Sequence, residues 1–171
     1  MKKIDFYLKN RQIVKDKTVI TLTQKYLEKS RSNLITMNLL SELNNRKARK
    51  LLKIPQDYDS NEWVVICGYY AMYSAALSLI ASIGFRSKNH SATIEIIEEI
   101  FVKNKHLDEK DVLTIKNALL QKEEIEKLSD ARHKREIAQY SVTRQTTKNI
   151  AERIKSDAYY FVNKIGSIIQ R

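Results

Sequence analysis

Glycine and proline are scarce in this sequence: three Gly and one Pro in 171 residues leave few places where the chain can turn sharply. That scarcity argues for long helices joined by few turns, an all-α composition. Cysteine is scarcer in effect, because Cys67 stands alone, so neither an internal disulfide nor a thiol metal cluster can form, and an intracellular, cytoplasmic protein is expected. The start MKK leads into Asp5, Lys9 and Arg11 rather than an apolar segment, so no signal peptide is expected. Most enzyme signatures are missing as well. There is no glycine-rich phosphate loop, no His and carboxylate pair at metal-ligand spacing, and no cysteine with a base beside it. His90, His106 and His133 fall in a turn, a loop and a helix, and singly each reads as a surface or capping residue. No metal site and no cofactor are expected.

What is present is a run of twenty-one uncharged residues, Trp63 to Ile83, in a chain that is 30% charged. Such a run must be buried. Pro55 stops what precedes it, Asp59 and Glu62 have the spacing of a capping box, and Gly84 stands where a helix end favours positive φ. One helix of about six turns follows. It is long enough to cross a bilayer. However, Tyr69, Tyr70 and Tyr73 lie near its middle, followed by Ser74, Ser78 and Ser82, whereas spanning helices keep aromatic hydroxyls at the interfaces. The run therefore reads as the central helix of a soluble bundle, with no membrane partner. Gly68, Ala71, Ala75, Ser78 and Ser82 recur every three or four positions, which lets a neighbouring backbone approach closely. A helix apolar on every side needs partners all round, and this predicts a bundle, a homodimer closed by the central or last helix, or both.

The net charge of +11 is uneven. Residues 1–53 hold fourteen Lys and Arg against four Asp and Glu, and the remainder holds seventeen against sixteen. A localised positive field suits phosphate partners. Its densest part is RKARKLLK, where Arg46, Lys47, Arg49, Lys50 and Lys53 precede Pro55. Either this is a solvated helical extension, or it contacts nucleic acid through counterion release.

Residues 1–20 read as a basic N-terminal arm and residues 21–171 as the bundle. A first long helix runs from about Thr21 to Leu43 on the spacing of Leu22, Tyr26, Leu27, Leu34, Met37 and Leu40, with Asn44 and Asn45 interrupting it. After the central helix, Gly84 to Asn89 forms a turn, and Ser87 or Asn89 caps a third helix with core residues Ile94, Ile97, Ile100 and Phe101. Leu107 and Asp108 open a fourth, striped by Val112, Ile115, Leu119, Ile125 and Leu128. That stripe continues into Arg132 and Arg135, which extend an apolar seam or snorkel outwards from the exposed end of the bundle. A polar link, Ser141 to Thr147, precedes a last helix with Ile150, Ile154, Ala158, Phe161, Ile165 and Ile168 at heptad-like intervals. The fold class is thus all-α, an antiparallel up-down bundle of four to five long helices.

The order of these features, with YYAMYSAA in the central helix, KNHSA after it and REIAQY closing the fourth, resembles the HEPN family over roughly residues 20–168. These are small helical domains associated with nucleotides and RNA in prokaryotic defence and toxin–antitoxin systems, in a compact form common in archaea. Tyr69, Tyr70, Ala71, Met72, Ala75 and Ala76 agree with the family's Tyr-Tyr-(Ala or Ser)-Met-Phe-His-Ala-Ala segment; His90 fits the histidine after its turn; Arg135, Glu136, Ala138 and Tyr140 fit its Arg-Glu-x-Ala-Asp-Tyr stretch. Ser74 and Gln139 depart from it. Active HEPN ribonucleases carry an arginine followed after four to six residues by a histidine, and Tyr140 occupies that place after Arg135. A phenol with a reference pKa near 10 is a poor base at neutral pH. The resemblance therefore implies a non-catalytic protein binding a nucleotide, RNA or a partner nucleotidyltransferase through Arg132, Arg135, Tyr140 and His90. Two alternatives are a divergent metal-independent ribonuclease toxin using Arg135 and Tyr140 across a dimer cleft, and a helical scaffold without ligand.

Overall fold

The computed structural model describes the backbone of residues 3–132 and 140–170 and the side chains of residues 4–126 and 147–170. In chain order come α1 (Lys3–Lys9), β1 (Ile13–Lys15), a 3-10 turn (Lys17–Leu22), α2 (Thr23–Glu42), α3 (Arg46–Leu51), α4 (Asn61–Ser82), β2 (Phe85–Ser87), α5 (His90–Ile96) continued by a π-helical turn (Ile97–Val102), α6 (Glu109–Arg132) and α7 (Tyr140–Ile169). The described residues are predominantly helical, and the fold is the expected all-α bundle, built among the described residues on the long helices α2, α4, α6 and α7.

The uncharged run is the middle of the molecule. α4 packs on α2 and α7 and, less extensively, on α6, so one chain supplies partners on most sides of it. By length and composition α4 could cross a membrane, but 72% of its most apolar window is buried within the protein, as a core helix requires. Its start is fixed by Asp59, whose carboxylate accepts from Asn61 N–H at 2.9 Å, and by the buried Ser60 hydroxyl, which donates to Leu40 C=O at 2.6 Å. The small-residue side is used as its spacing suggests. Gly68 faces α7, where a Cβ would stand 2.5 Å from Ile154 Cγ2, and Ser78 Oγ donates to Thr23 C=O at 2.7 Å. One stripe stays uncovered, with Trp63 54% and Tyr70 40% exposed.

Gly84 ends the helix region with φ +75°, a conformation that costs glycine nothing, and turns the chain into β2. β2 pairs antiparallel with β1, Ile13 opposite Ser87 and Lys15 opposite Phe85, and Arg86 bridges to Asp16 at 3.0 Å. The N-terminal residues expected as a basic arm are therefore folded onto the bundle: Ile13 is buried, and Ile4, Tyr7 and Leu8 pack on the core. Elements of seven and three residues are too short to show a period, and the strand's partner lies some seventy residues later.

Of the two residues expected to cap the third helix, Asn89 does so, its Oδ1 accepting from Ala92 N–H at 2.7 Å. The stretch expected as a polar link is helical. α7 begins at Tyr140, because Ser141 to Thr147 contains neither Gly nor Pro and polarity alone does not break a helix. At the other end of the α6–α7 pair, the buried Asp111 carboxylate accepts from Asp108 N–H at 2.7 Å, Lys164 Nζ at 2.7 Å and Tyr160 O–H at 3.1 Å. This carboxylate, at the start of α6 and tied to Tyr160 and Lys164 of α7, fixes the antiparallel pairing.

Candidate functional site

His90 is the sequence-predicted site residue that the structure places most fully. Asn89 caps α5, so the first helical residue projects back over α4, where the tyrosines of YYAMY lie on adjacent turns. His90 Nδ1 is hydrogen-bonded to the Tyr69 hydroxyl, and its ring lies 4.2 Å from that of Tyr73, which stacks on Tyr69 with centroids 6.0 Å apart and planes 11° off parallel. From α6, the Lys122 ammonium sits over Tyr69 and Tyr70, 5.9 and 5.8 Å from the ring centroids, and pairs with Glu126 at 2.7 Å. Three helices thus converge on one aromatic cluster.

The protonation states follow from burial and charge. Desolvation drives the Tyr69 phenol far above its ordinary value, with Tyr73 and Tyr70 adding to it, so the hydroxyl keeps its proton. Desolvation lowers the His90 pKa and Lys122 lowers it further, outweighing Glu123 and Glu126, so the imidazole is neutral at neutral pH. For Lys122, burial opposes the charged form, but the hydrogen bond it donates to Glu126, with Tyr70 and the carboxylates of Glu126 and Glu123 nearby, outweighs it and raises its pKa. The buried phenol proton needs an acceptor, and among the described residues His90 Nδ1 is the one in reach. Tyr69 therefore donates to Nδ1, and the imidazole proton resides on Nε2. His90 can donate a hydrogen bond to a ligand through Nε2–H, but its basic lone pair is already engaged.

Arg132 is the last residue of α6 and Tyr140 the first of α7. Their side chains, together with Arg135, lie outside the described residues. The basic cluster divides. Arg46, Lys47 and Lys50 are exposed, whereas Arg49 donates to the carbonyls of Pro55, Gln56 and Tyr58 and closes the loop before α4. Arg49 is a loop staple and leaves the candidate contact set. Among the described residues no three His, Cys, Asp or Glu side chains converge as a metal site would require.

Sequence reasoning missed Lys122, Glu126 and the Tyr69–His90 pairing, which join three separate helices. It also missed a cleft of about 280 Å³ between α2 and α4, walled by Tyr26, Lys29 and Asn33 on one side and Tyr70, Tyr73 and Ser74 on the other. The signal was present: residues 26, 29 and 33 follow the i, i+3, i+7 pattern of one helix face, where two polar residues interrupt an apolar one.

Over 133 residues the chain is 29% identical to a UPF0332 protein of Archaeoglobus fulgidus, covering 76% of this chain and 95% of that protein. No family model and no solved structure matches it.

Proposed function

We propose that this chain is a cytoplasmic HEPN-like domain that binds RNA or a nucleotide without cleaving it, as part of a toxin–antitoxin or defence-type system. The similarity to an archaeal protein over 76% of this chain, the YYAMYSAA and REIAQY segments and the all-α bundle support the family reading. The net charge of +11 and the exposed Arg46, Lys47 and Lys50 support a phosphate-bearing partner.

The observation that carries the non-catalytic half is the state of His90. A general base needs a free lone pair near its task. Here Tyr69 engages Nδ1 and the proton sits on Nε2. His90 is therefore a positioned donor, able to hold a phosphate or ribose oxygen, and in this reading it works together with the residues between the end of α6 at Arg132 and the start of α7 at Tyr140. Those two residues and Arg135 complete the binding set in this reading, a role that needs charge and hydrogen bonds and no base.

Mixing the protein with labelled single-stranded RNA in EDTA, then measuring retention on a filter and chain length on a gel, tests both halves. Retention that weakens with salt, with intact RNA, is expected. Robust cleavage that disappears in Tyr140→Phe would promote the ribonuclease reading instead, and absence of both retention and cleavage would leave the scaffold.

A further inference from the structure

We propose that the α2–α4 cleft is a nucleobase site, with Tyr70 as its stacking face, Asn33 as its edge reader and Lys29 as the partner of the attached phosphate. The inference rests on the nucleic-acid-binding reading and gives it a place between α2 and α4.

Four observations converge on a flat, hydrogen-bonding, anionic ligand. The cleft's volume of about 280 Å³ lies just below the range of about 300 to 1,000 Å³ for drug-sized ligands, and suits one ring system rather than a folded chain. Its lining carries Lys29 and no carboxylate, so its formal charge is positive. Its aromatic wall is held from behind: Tyr73 is stacked on Tyr69 and packed at a tilt against His90, and the Tyr70 ring is engaged by Lys122. Such a wall loses little freedom when a base arrives. Tyr70 is nevertheless 40% exposed, an amount of uncovered aromatic surface that a stacked base would bury. Finally, Asn33 spends little of its hydrogen-bonding capacity inside the protein. Its contact with Ser74 Oγ is long, 3.5 Å, and the amide retains a donor and an acceptor side by side. That pair matches the edge of adenine, cytosine or uracil. Lys29, exposed at the rim, is where a 5′ phosphate would leave the cleft.

The base can come from a free mononucleotide or from an unpaired position of RNA, and titration calorimetry separates the two. Wild-type protein, Tyr70→Ala and Lys29→Gln are titrated with AMP, CMP, UMP, ribose 5-phosphate and a hexameric single-stranded RNA, after circular dichroism has confirmed that each variant is folded. A mononucleotide that binds wild type and loses about tenfold or more in Tyr70→Ala supports the cleft with a free nucleotide. Binding of the hexamer alone, weakened similarly by Tyr70→Ala and with a shallower salt dependence in Lys29→Gln, supports the cleft with an RNA base. Ribose 5-phosphate binding as tightly as AMP overturns the base site. Hexamer binding unchanged in both variants overturns the cleft while leaving RNA binding in place. If no nucleotide or RNA binds, both the cleft and the proposed function fall.

Discussion

Replacing Gly68 by alanine tests the packing that brings the four long helices together. Two effects oppose each other. Alanine is the better helix former, worth about 1 kcal/mol in a helix interior. Against that, the added Cβ would lie 2.5 Å from Ile154 Cγ2 and 3.0 Å from Met37 Sδ, where ordinary carbon contacts are about 3.5–4.0 Å. Relief by rotation is restricted, because the Cγ2 methyl is a branch at the Cβ of a helical isoleucine, nearly locked in one rotamer. Withdrawal of the backbone means moving α7 from the core helix. Overpacking costs about 1–3 kcal/mol, and a 2.5 Å contact with a branched side chain belongs at the upper end, about 2–3 kcal/mol, so after a propensity gain of about 1 kcal/mol Gly68→Ala should destabilise the protein by about 1–2 kcal/mol. In urea, followed by far-ultraviolet circular dichroism, the midpoint should fall by roughly 0.5–1 M at a slope of about 2 kcal/mol/M, with the slope unchanged. In an Ile154→Ala background the same substitution should cost nothing or stabilise. A Gly68→Ala midpoint equal to or above wild type in the native background would refute the close α4–α7 approach.

Three other outcomes follow from particular contacts. Lys164→Met leaves the buried Asp111 carboxylate without its cation but with Asp108 N–H and Tyr160 O–H, so the loss in chemical denaturation should be about 2–3 kcal/mol, below the 3–5 of a fully stranded charge. His90 has its folded pKa depressed, so the unfolded chain binds the extra proton first as pH falls; stability should be full above the unfolded value of about 6.5 and decline below it. His90→Phe should flatten that part of the stability–pH curve, and an unchanged slope would remove the neutral-His assignment. Arg49→Gln should lower stability by about 1 kcal/mol through the loop at Pro55–Tyr58, whereas Arg46→Gln should leave stability unchanged and flatten the salt dependence of RNA retention.

The long elements were legible because their signals are local. The apolar run marks α4, Gly84 marks its end, and Asn89 marks the start of α5, all within a few neighbouring residues. The ribbon of β1 and β2 was not legible, since a three-residue strand carries no period and its pairing spans the whole of α2 and α4. The start of α7 is not legible from polarity, because Ser141 to Thr147 is polar yet holds no breaker residue and stays helical. At the site, His90 was singled out by resemblance, but its chemistry depends on Tyr69 and on Lys122, residues that only folding brings to it. Tyr26 counted as a core residue by spacing, and in the fold it is half-buried at the wall of the cleft.

The central claim is that His90 is a fixed hydrogen-bond donor and not a base. Nitrogen-15 correlation spectra of the imidazole across pH 5 to 8 measure this directly. The account predicts a neutral ring at pH 7 protonated on Nε2, with Nδ1 carrying the shift of an acceptor and a midpoint below the ordinary histidine value of about 6.5. A ring protonated on Nδ1 with a free Nε2 lone pair, or one still charged at pH 7, would contradict it.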